Sequence, residues 1–250
     1  MKRSKLPEPG PTAQREARVR GQAHARIILL RHGEPDWAPE GGPSVPDPGL
    51  TDFGHAQARA AAERIARERI DALYVSPYRR AQETAAPLAQ DTGLEPVTVD
   101  GLAEIEVAVE GLDQEQVDRY FVEGSQRPLP QHWDGWPGAE TFNQFHARVT
   151  RAMADVLARH GIHSRREPDG EFNVWHMDAE PPHLVVVAHG GTNSVALTHL
   201  LDIRAVPWEW VRFESELCTY SVLQARPLGP EGYVWSLQDF GEFDLSLIHI

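Results

Sequence analysis

Two unbroken aliphatic runs, Ile27–Leu30 and Leu184–Ala188, constrain this chain most, because each passes directly into a His-Gly corner. The first continues as Arg31-His32-Gly33 and the second as His189-Gly190-Gly191. Runs this short and this apolar read as strands buried on both faces, which need helices above and below them. The rest of the sequence supplies those helices. "LTDFGHAQARAAAERIARERI" has Thr51 or Asp52 as cap and propagates through alanines. "DALYVS" reads as a second strand, the segment after it as a helix stopped by Gly93, and "PVTVD" as a third strand. Phe142, Phe145, Val149, Met153, Val156 and Leu157 recur at helical spacing, and a further helix is expected over Thr192–Leu201. "CTYSVLQA" and "GYVWSLQDF" alternate as two late strands, with a hairpin as one way to join them. This alternation predicts an α/β fold of three layers, α/β/α, with a mostly parallel sheet and helices on both faces.

Residues 1–24 are polar and read as a flexible tail, leaving 25–250 as one domain. Two segments lack clear periodicity and read as cap or insert: 101–138, with a short helix near Gln114–Val122, and 162–183, which suits a hairpin. No apolar stretch follows the basic start of the chain, and no run is long enough to span a bilayer, so the expectation is a cytoplasmic protein without membrane contact. The single cysteine, Cys218, rules out an intrachain disulfide. A net charge of −13 opposes binding to nucleic acid or anionic membranes. Against that acidic background, arginines gathered at the His-Gly corners are a local exception.

In open α/β sheets, ligands bind outside the carboxyl ends of the strands, and both His-Gly corners fall there. Neutral imidazole is a nucleophile near pH 7. Arg31 offers a planar cationic fork, the Arg79–Arg80 pair opens the helix after "DALYVS", and the N–H groups at Gly190 and Gly191 face outward from a helix start. Everything collected there is cationic or donating, which suits a phosphoryl group. No His-x-x-x-His helix or Cys cluster indicates a metal.

"LLRHGE", "LTDFGHAQA", "SPYRRAQETA", "PGAETF" and "VVVAHGG", in this order between about residues 27 and 200, resemble the histidine phosphatase superfamily, in its phosphoglycerate mutase-like branch. The resemblance implies the phosphoglycerate mutase-like fold and a phosphomonoester hydrolase that needs no metal or cofactor and acts on a small phosphorylated substrate. It implies that His32 is the nucleophile, that Arg31 and Arg80 grip the phosphoryl oxygens, and that His189 donates to the same oxygens. Arg80 is preferred to Arg79 because it directly precedes Ala81, as the family's arginine precedes its alanine. The Leu-x-Glu pattern points to Glu104 as general acid, with Glu106 and Glu140 as alternatives. Glu140 and Trp37 are expected on the substrate side, and Trp133, Trp136 and Trp37 either wall the pocket or pack its loops. Two departures from the family pattern stand out. "VAVEG" is shortened and lacks the usual glycine and aromatic, and Ala38 stands where the mutases carry an asparagine. The second favours hydrolysis over one alternative, a phosphoglycerate mutase-like isomerase, and the intact Arg31, His32, Arg80 and His189 argue against the other, a non-catalytic phospho-ligand-binding protein.

Overall fold

The computed structural model describes residues 24–166, 172–230 and 232–242. The expected tail therefore lies outside the described residues, apart from His24, which is buried. Eight strands form one sheet: β1 (Arg26–Arg31), β2 (Ala72–Val75), β3 (Val97–Thr98), β4 (Ile162–Arg166), β5 (Asn173–Met177), β6 (His183–Ala188), β7 (Tyr220–Pro227) and β8 (Tyr233–Glu242). Their spatial order is β3-β2-β6-β1-β7-β8-β5-β4. Helices α1 (Asp52–Ile65), α2 (Arg79–Thr92), α3 (Gln114–Ser125), α4 (Phe142–Ala158), α5 (Gly190–Leu200) and α6 (Glu209–Arg212) complete the regular structure.

Side chains alternate across the strands, so one sequence feeds two cores. Ile27 and Leu29 of β1, Leu184 and Val186 of β6, and Leu223 of β7 face one way, onto Phe142, Phe145 and Val149 of α4 and Val195 and Leu197 of α5. Ile28 and Leu30, Val185 and Val187, and Val222 face the other way, onto Ala58, Ala62 and Ile65 of α1 and Ala81, Ala85 and Leu88 of α2. Each fully buried aliphatic side chain contributes about 1.5–3 kcal/mol, and the alanines let the α1 and α2 backbones lie close to the sheet. The three-layer α/β/α expectation holds.

The mostly parallel expectation holds only for β3, β2, β6 and β1; β7, β8, β5 and β4 pair antiparallel. The connections explain the difference. Helices join the parallel strands, whereas β7 to β8 and β4 to β5 are linked by chain too short for a crossover. The 162–183 insert is indeed a hairpin, but it forms the sheet edge four strands beyond β1, about 19 Å away at about 4.8 Å per strand.

Candidate active site

The register of the three adjacent parallel strands builds the site. Arg31 pairs with Ala188 and Val75 with Val187, so β1, β6 and β2 end side by side and release His32, His189 and Ser76 at one edge. His32 is still tied to the sheet by its N–H to Ala188 O (3.0 Å), and its own carbonyl accepts from Cys218 N–H (3.1 Å). Its ring lies 5.1 Å from that of His189, centroid to centroid. The chain must then turn away hard against α1. A Cβ at position 33 would sit 2.7 Å from the Gly54 carbonyl oxygen, so only glycine fits there. Thr51 and Gln57 fasten the turn: Gln57 Oε1 accepts from Glu34 N–H (2.9 Å), and the Thr51 hydroxyl donates to Glu34 Oε2 (2.6 Å) while capping α1 through Gly54 N–H. Thr51, Gly54 and Gln57 thus hold the loop that follows His32.

Both histidines are held well below their ordinary pKa, first by burial and then by Arg80, with Arg31 adding to the effect on each. Both rings are therefore neutral near pH 7. His32 Nδ1 lies 2.7 Å from the Gly33 carbonyl oxygen, which can only accept. The ring proton is thus on Nδ1, and Nε2 carries the lone pair. His189 Nε2 contacts Ser76 Oγ at 2.7 Å.

Arg80 is only 4% exposed, whereas the Arg79 side chain is 66% exposed and paired with Glu83. The guanidinium of Arg80 lies over Tyr78 (4.7 Å) and Trp37 (5.4 Å), 3.9 Å from Asp47. Arg31 donates from Nη1 to the Ser215 carbonyl. Among the described residues, Arg31 Nε, Arg80 Nε and Nη1, and His189 Nδ1 are buried nitrogens with no hydrogen-bond partner. Buried donors of this kind are costly unless a ligand meets them.

Glu104 reaches the start of α5. Its Oε2 accepts from Gly191 N–H (2.8 Å), and its Oε1 accepts from Ile105 N–H (3.0 Å) and the Thr192 hydroxyl (3.3 Å). A Cβ at position 191 would stand 2.6 Å from that carboxylate, so the second glycine of the corner makes room for it. Arg31, His32, Arg80 and Glu104 line one cavity of about 500 Å³.

The comparisons with known proteins agree with this geometry. A family model described as histidine phosphatase superfamily (branch 1) matches residues 27–164. The chain belongs to the histidine phosphatase superfamily.

Phosphoserine phosphatase 1 of Hydrogenobacter thermophilus is 31% identical over 138 residues, covering 54% of this chain and 65% of that protein. The probable phosphoglycerate mutase GpmB of Enterobacter sp. is 32% identical over 139 residues, covering 53% of this chain and 63% of that protein. The chain thus spans less than two thirds of the length of these curated relatives. Among solved structures, mycobacterial glucosyl-3-phosphoglycerate phosphatase with VO3 superposes with a TM-score of 0.63 at 26% identity, covering 86% of this chain and 98% of that one. The superfamily match stops at 164, while His189 and the far cavity wall come from later residues.

Of the residues expected from the sequence, His32, Arg31, Arg80, Glu104 and Trp37 line the cavity, and His189 lies against it beside His32. Glu140 does not line it. Its carboxylate pairs with Arg148 Nη2 and Nε, and Arg148 Nη1 donates to the carbonyls of Gly101 (3.0 Å) and Ala103 (2.9 Å). Glu140 therefore acts on the loop behind Glu104 and not on the substrate side. Trp136 is a wall residue, but Trp133 packs edge-on against Phe142 in the core. The 101–138 segment caps the cavity through Ile105, Val107, Phe121 and Trp136. The other wall is 210–217, not the 162–183 hairpin. Sequence reasoning missed Ser76, Arg148 and this second wall. Ser76 was findable as the last residue of a strand ending at the site.

No helix among the described residues is long and apolar enough to cross a membrane.

Proposed function

We propose that this protein hydrolyses phosphomonoesters through a phosphohistidine on His32. The observation that carries the reading is a neutral imidazole, proton on Nδ1, held 5.1 Å from a second imidazole beside a cavity where Arg31 Nε, Arg80 Nε and Nη1, and His189 Nδ1 are buried without a hydrogen-bond partner. Names among the relatives and structural neighbours support hydrolysis of small phosphate esters.

In the first step, His32 Nε2 attacks phosphorus in line with the ester oxygen, a P–N bond forms, and the P–O bond to the leaving group breaks. Arg31 and Arg80 balance the charge spread over the equatorial oxygens. The Ser76 hydroxyl donates to His189 Nε2, which leaves the His189 proton on Nδ1, ready for a phosphoryl oxygen. Glu104, in its acid form, gives its proton to the departing alkoxide. In the second step Glu104 as carboxylate takes a proton from water, the oxygen attacks phosphorus, the P–N bond breaks, and inorganic phosphate leaves with His32 restored.

Para-nitrophenyl phosphate in EDTA tests this. The wild type should release nitrophenolate, and His32→Ala should lose about 10³-fold or more of kcat/KM. Quenching the wild type in SDS at alkaline pH should trap an acid-labile, base-stable phosphoprotein that the variant lacks. Turnover that survives in His32→Ala would remove the nucleophile from this reading.

A further inference from the structure

The wall beyond the phosphoryl site has a chemistry of its own. Trp37, Phe121, Trp136, Trp210 and Phe213 line it, and the aliphatic Ile105, Val107 and Leu217 fill in between. Among the described residues, the cationic side chains lining the cavity are Arg31, beside the first His-Gly corner, and Arg80, in the first turn of α2. The remaining charged side chains lining it, Glu104 and Glu214, are acidic. Cations in neighbouring segments are engaged elsewhere. Arg148 is bound by Glu140 and two carbonyls, Arg127 by the carbonyls of Gly124 and Gly135, Arg79 by Glu83, and Arg212, between Trp210 and Phe213, by Glu209 (3.5 Å). Trp136 itself is fixed, stacked on Tyr120 (5.1 Å), edge-on to Phe121 (5.6 Å) and covered by Arg127 (5.2 Å). It is a preformed apolar face.

Resting on the phosphohydrolase reading, we infer that the substrate is a phosphomonoester whose leaving group is apolar or aromatic and carries no second anionic group, because the cavity that holds Arg31 and Arg80 is otherwise lined mostly by aromatic and aliphatic side chains and its remaining charge is negative. Three of the relatives and neighbours above are named for phosphoserine, phosphoglycerate or glucosyl-3-phosphoglycerate, all of which carry a carboxylate. In this cavity such a carboxylate would meet Glu214 with no cation left to pair it, and burying an unpaired charge is costly. A phenyl or indolyl group would displace water from the aromatic wall instead. Selectivity of this kind needs only the lining to change, while the phosphoryl grip at the strand ends stays the same.

The test compares alkyl leaving groups, so that oxygen basicity does not decide the result: 2-phenylethyl phosphate, ethyl phosphate, phosphoserine and 3-phosphoglycerate. The expected kcat/KM for 2-phenylethyl phosphate is about 30-fold above ethyl phosphate, with both carboxylates below ethyl phosphate. Trp136→Ala, and independently Trp210→Ala, should shrink the phenylethyl-to-ethyl ratio, a readout that partial misfolding does not move. Binding of 2-phenylethylphosphonate against 3-phosphonopropionate, followed by calorimetry, gives the same comparison without turnover, and the aromatic phosphonate should bind tighter. A carboxylate-bearing ligand that binds or reacts as well as its aromatic counterpart would overturn the inference. If no ester is hydrolysed while the phosphonates keep the expected order, the hydrolase reading fails and the pocket's selectivity stands.

Discussion

Arg148 is not among the residues lining the cavity, yet it holds the loop that carries Glu104, the proton donor proposed above, and that can be measured. Its Nη1 holds the carbonyls of Gly101 and Ala103, its other nitrogens hold Glu140, and the guanidinium lies 5.3 Å from the Phe145 ring centre. Arg148→Met keeps much of the apolar stem and removes two charge-assisted hydrogen bonds to the loop, each contributing about 1.5–3 kcal/mol. The loop is not thereby freed, because Leu102 stays fully buried, Thr192 still donates to Ala103 O (3.1 Å), and Gly191 still donates to Glu104. A net destabilisation of about 2–4 kcal/mol follows. The functional effect should fall on the leaving group. A displacement near 1 Å of a positioned group costs on the order of 10²-fold. kcat/KM for ethyl phosphate should therefore drop about 30–100-fold, while para-nitrophenyl phosphate, whose phenolate departs without help, should lose less than about threefold. kcat/KM reports the step that phosphorylates His32, so later water attack does not blur the comparison. Arg148 also bears electrostatically on His189, lowering its pKa. If that were its main role, both esters would suffer alike. Equal losses on the two esters, or none on either, would refute the positioning argument. Glu140→Gln, which can still accept from Arg148, should show the same leaving-group pattern at smaller amplitude.

Glu104→Gln should show that pattern more strongly, losing about 10²-fold or more on ethyl phosphate and far less on the aryl ester in kcat/KM; in a stopped-flow trace the aryl ester should give a nitrophenolate burst, as the variant cannot activate water for the second step. Arg80→Met should cost about 10³-fold in kcat/KM on any ester, and Arg79→Met no more than about threefold, because only the first guanidinium is buried at the cavity; the reverse order would exchange their roles. Stability should fall as pH drops below 6.5. His32, His189 and His199 all have folded pKa values lowered by burial, His199 to about 4, so the unfolded chain takes up the protons first. For His199 the loss runs from about pH 6.5 to 4 and reaches roughly 3 kcal/mol, with the two site histidines adding to it. Urea midpoints at pH 7.5, 6 and 5 should decline in step, and a midpoint that holds or rises on acidification would contradict the burial of these rings.

The difference between what was legible and what was not lies in the range of the interactions. The two His-Gly corners are readable because each is a local event: an aliphatic run can only be a buried strand, and the polar group that ends it must sit at the strand's carboxyl edge. That the two edges coincide follows once both strands are parallel neighbours, with Arg31 opposite Ala188. Arg80 is preferred to Arg79 in the sequence only through the resemblance, because it directly precedes Ala81, and the structure buries it while leaving Arg79 exposed. Glu140 is the instructive failure. A glutamate just ahead of a helix looks the same whether it meets a substrate or an arginine two turns on, and its partner Arg148 shows no periodicity that marks it. The 162–183 segment lacks pattern, nothing in the sequence assigns 210–217 a role, and only topology tells them apart. One closes a sheet edge beyond two intervening strands, and the other is returned to the cavity because Arg31 Nη1 grasps Ser215 O and the β7 strand that follows pairs with β1. The residues proposed to hold phosphate sit at strand ends or in the helix turn just after one, which a sequence declares. Those proposed to select the ester come from loops whose placement depends on contacts far along the chain, which is why the leaving group is argued from the folded cavity.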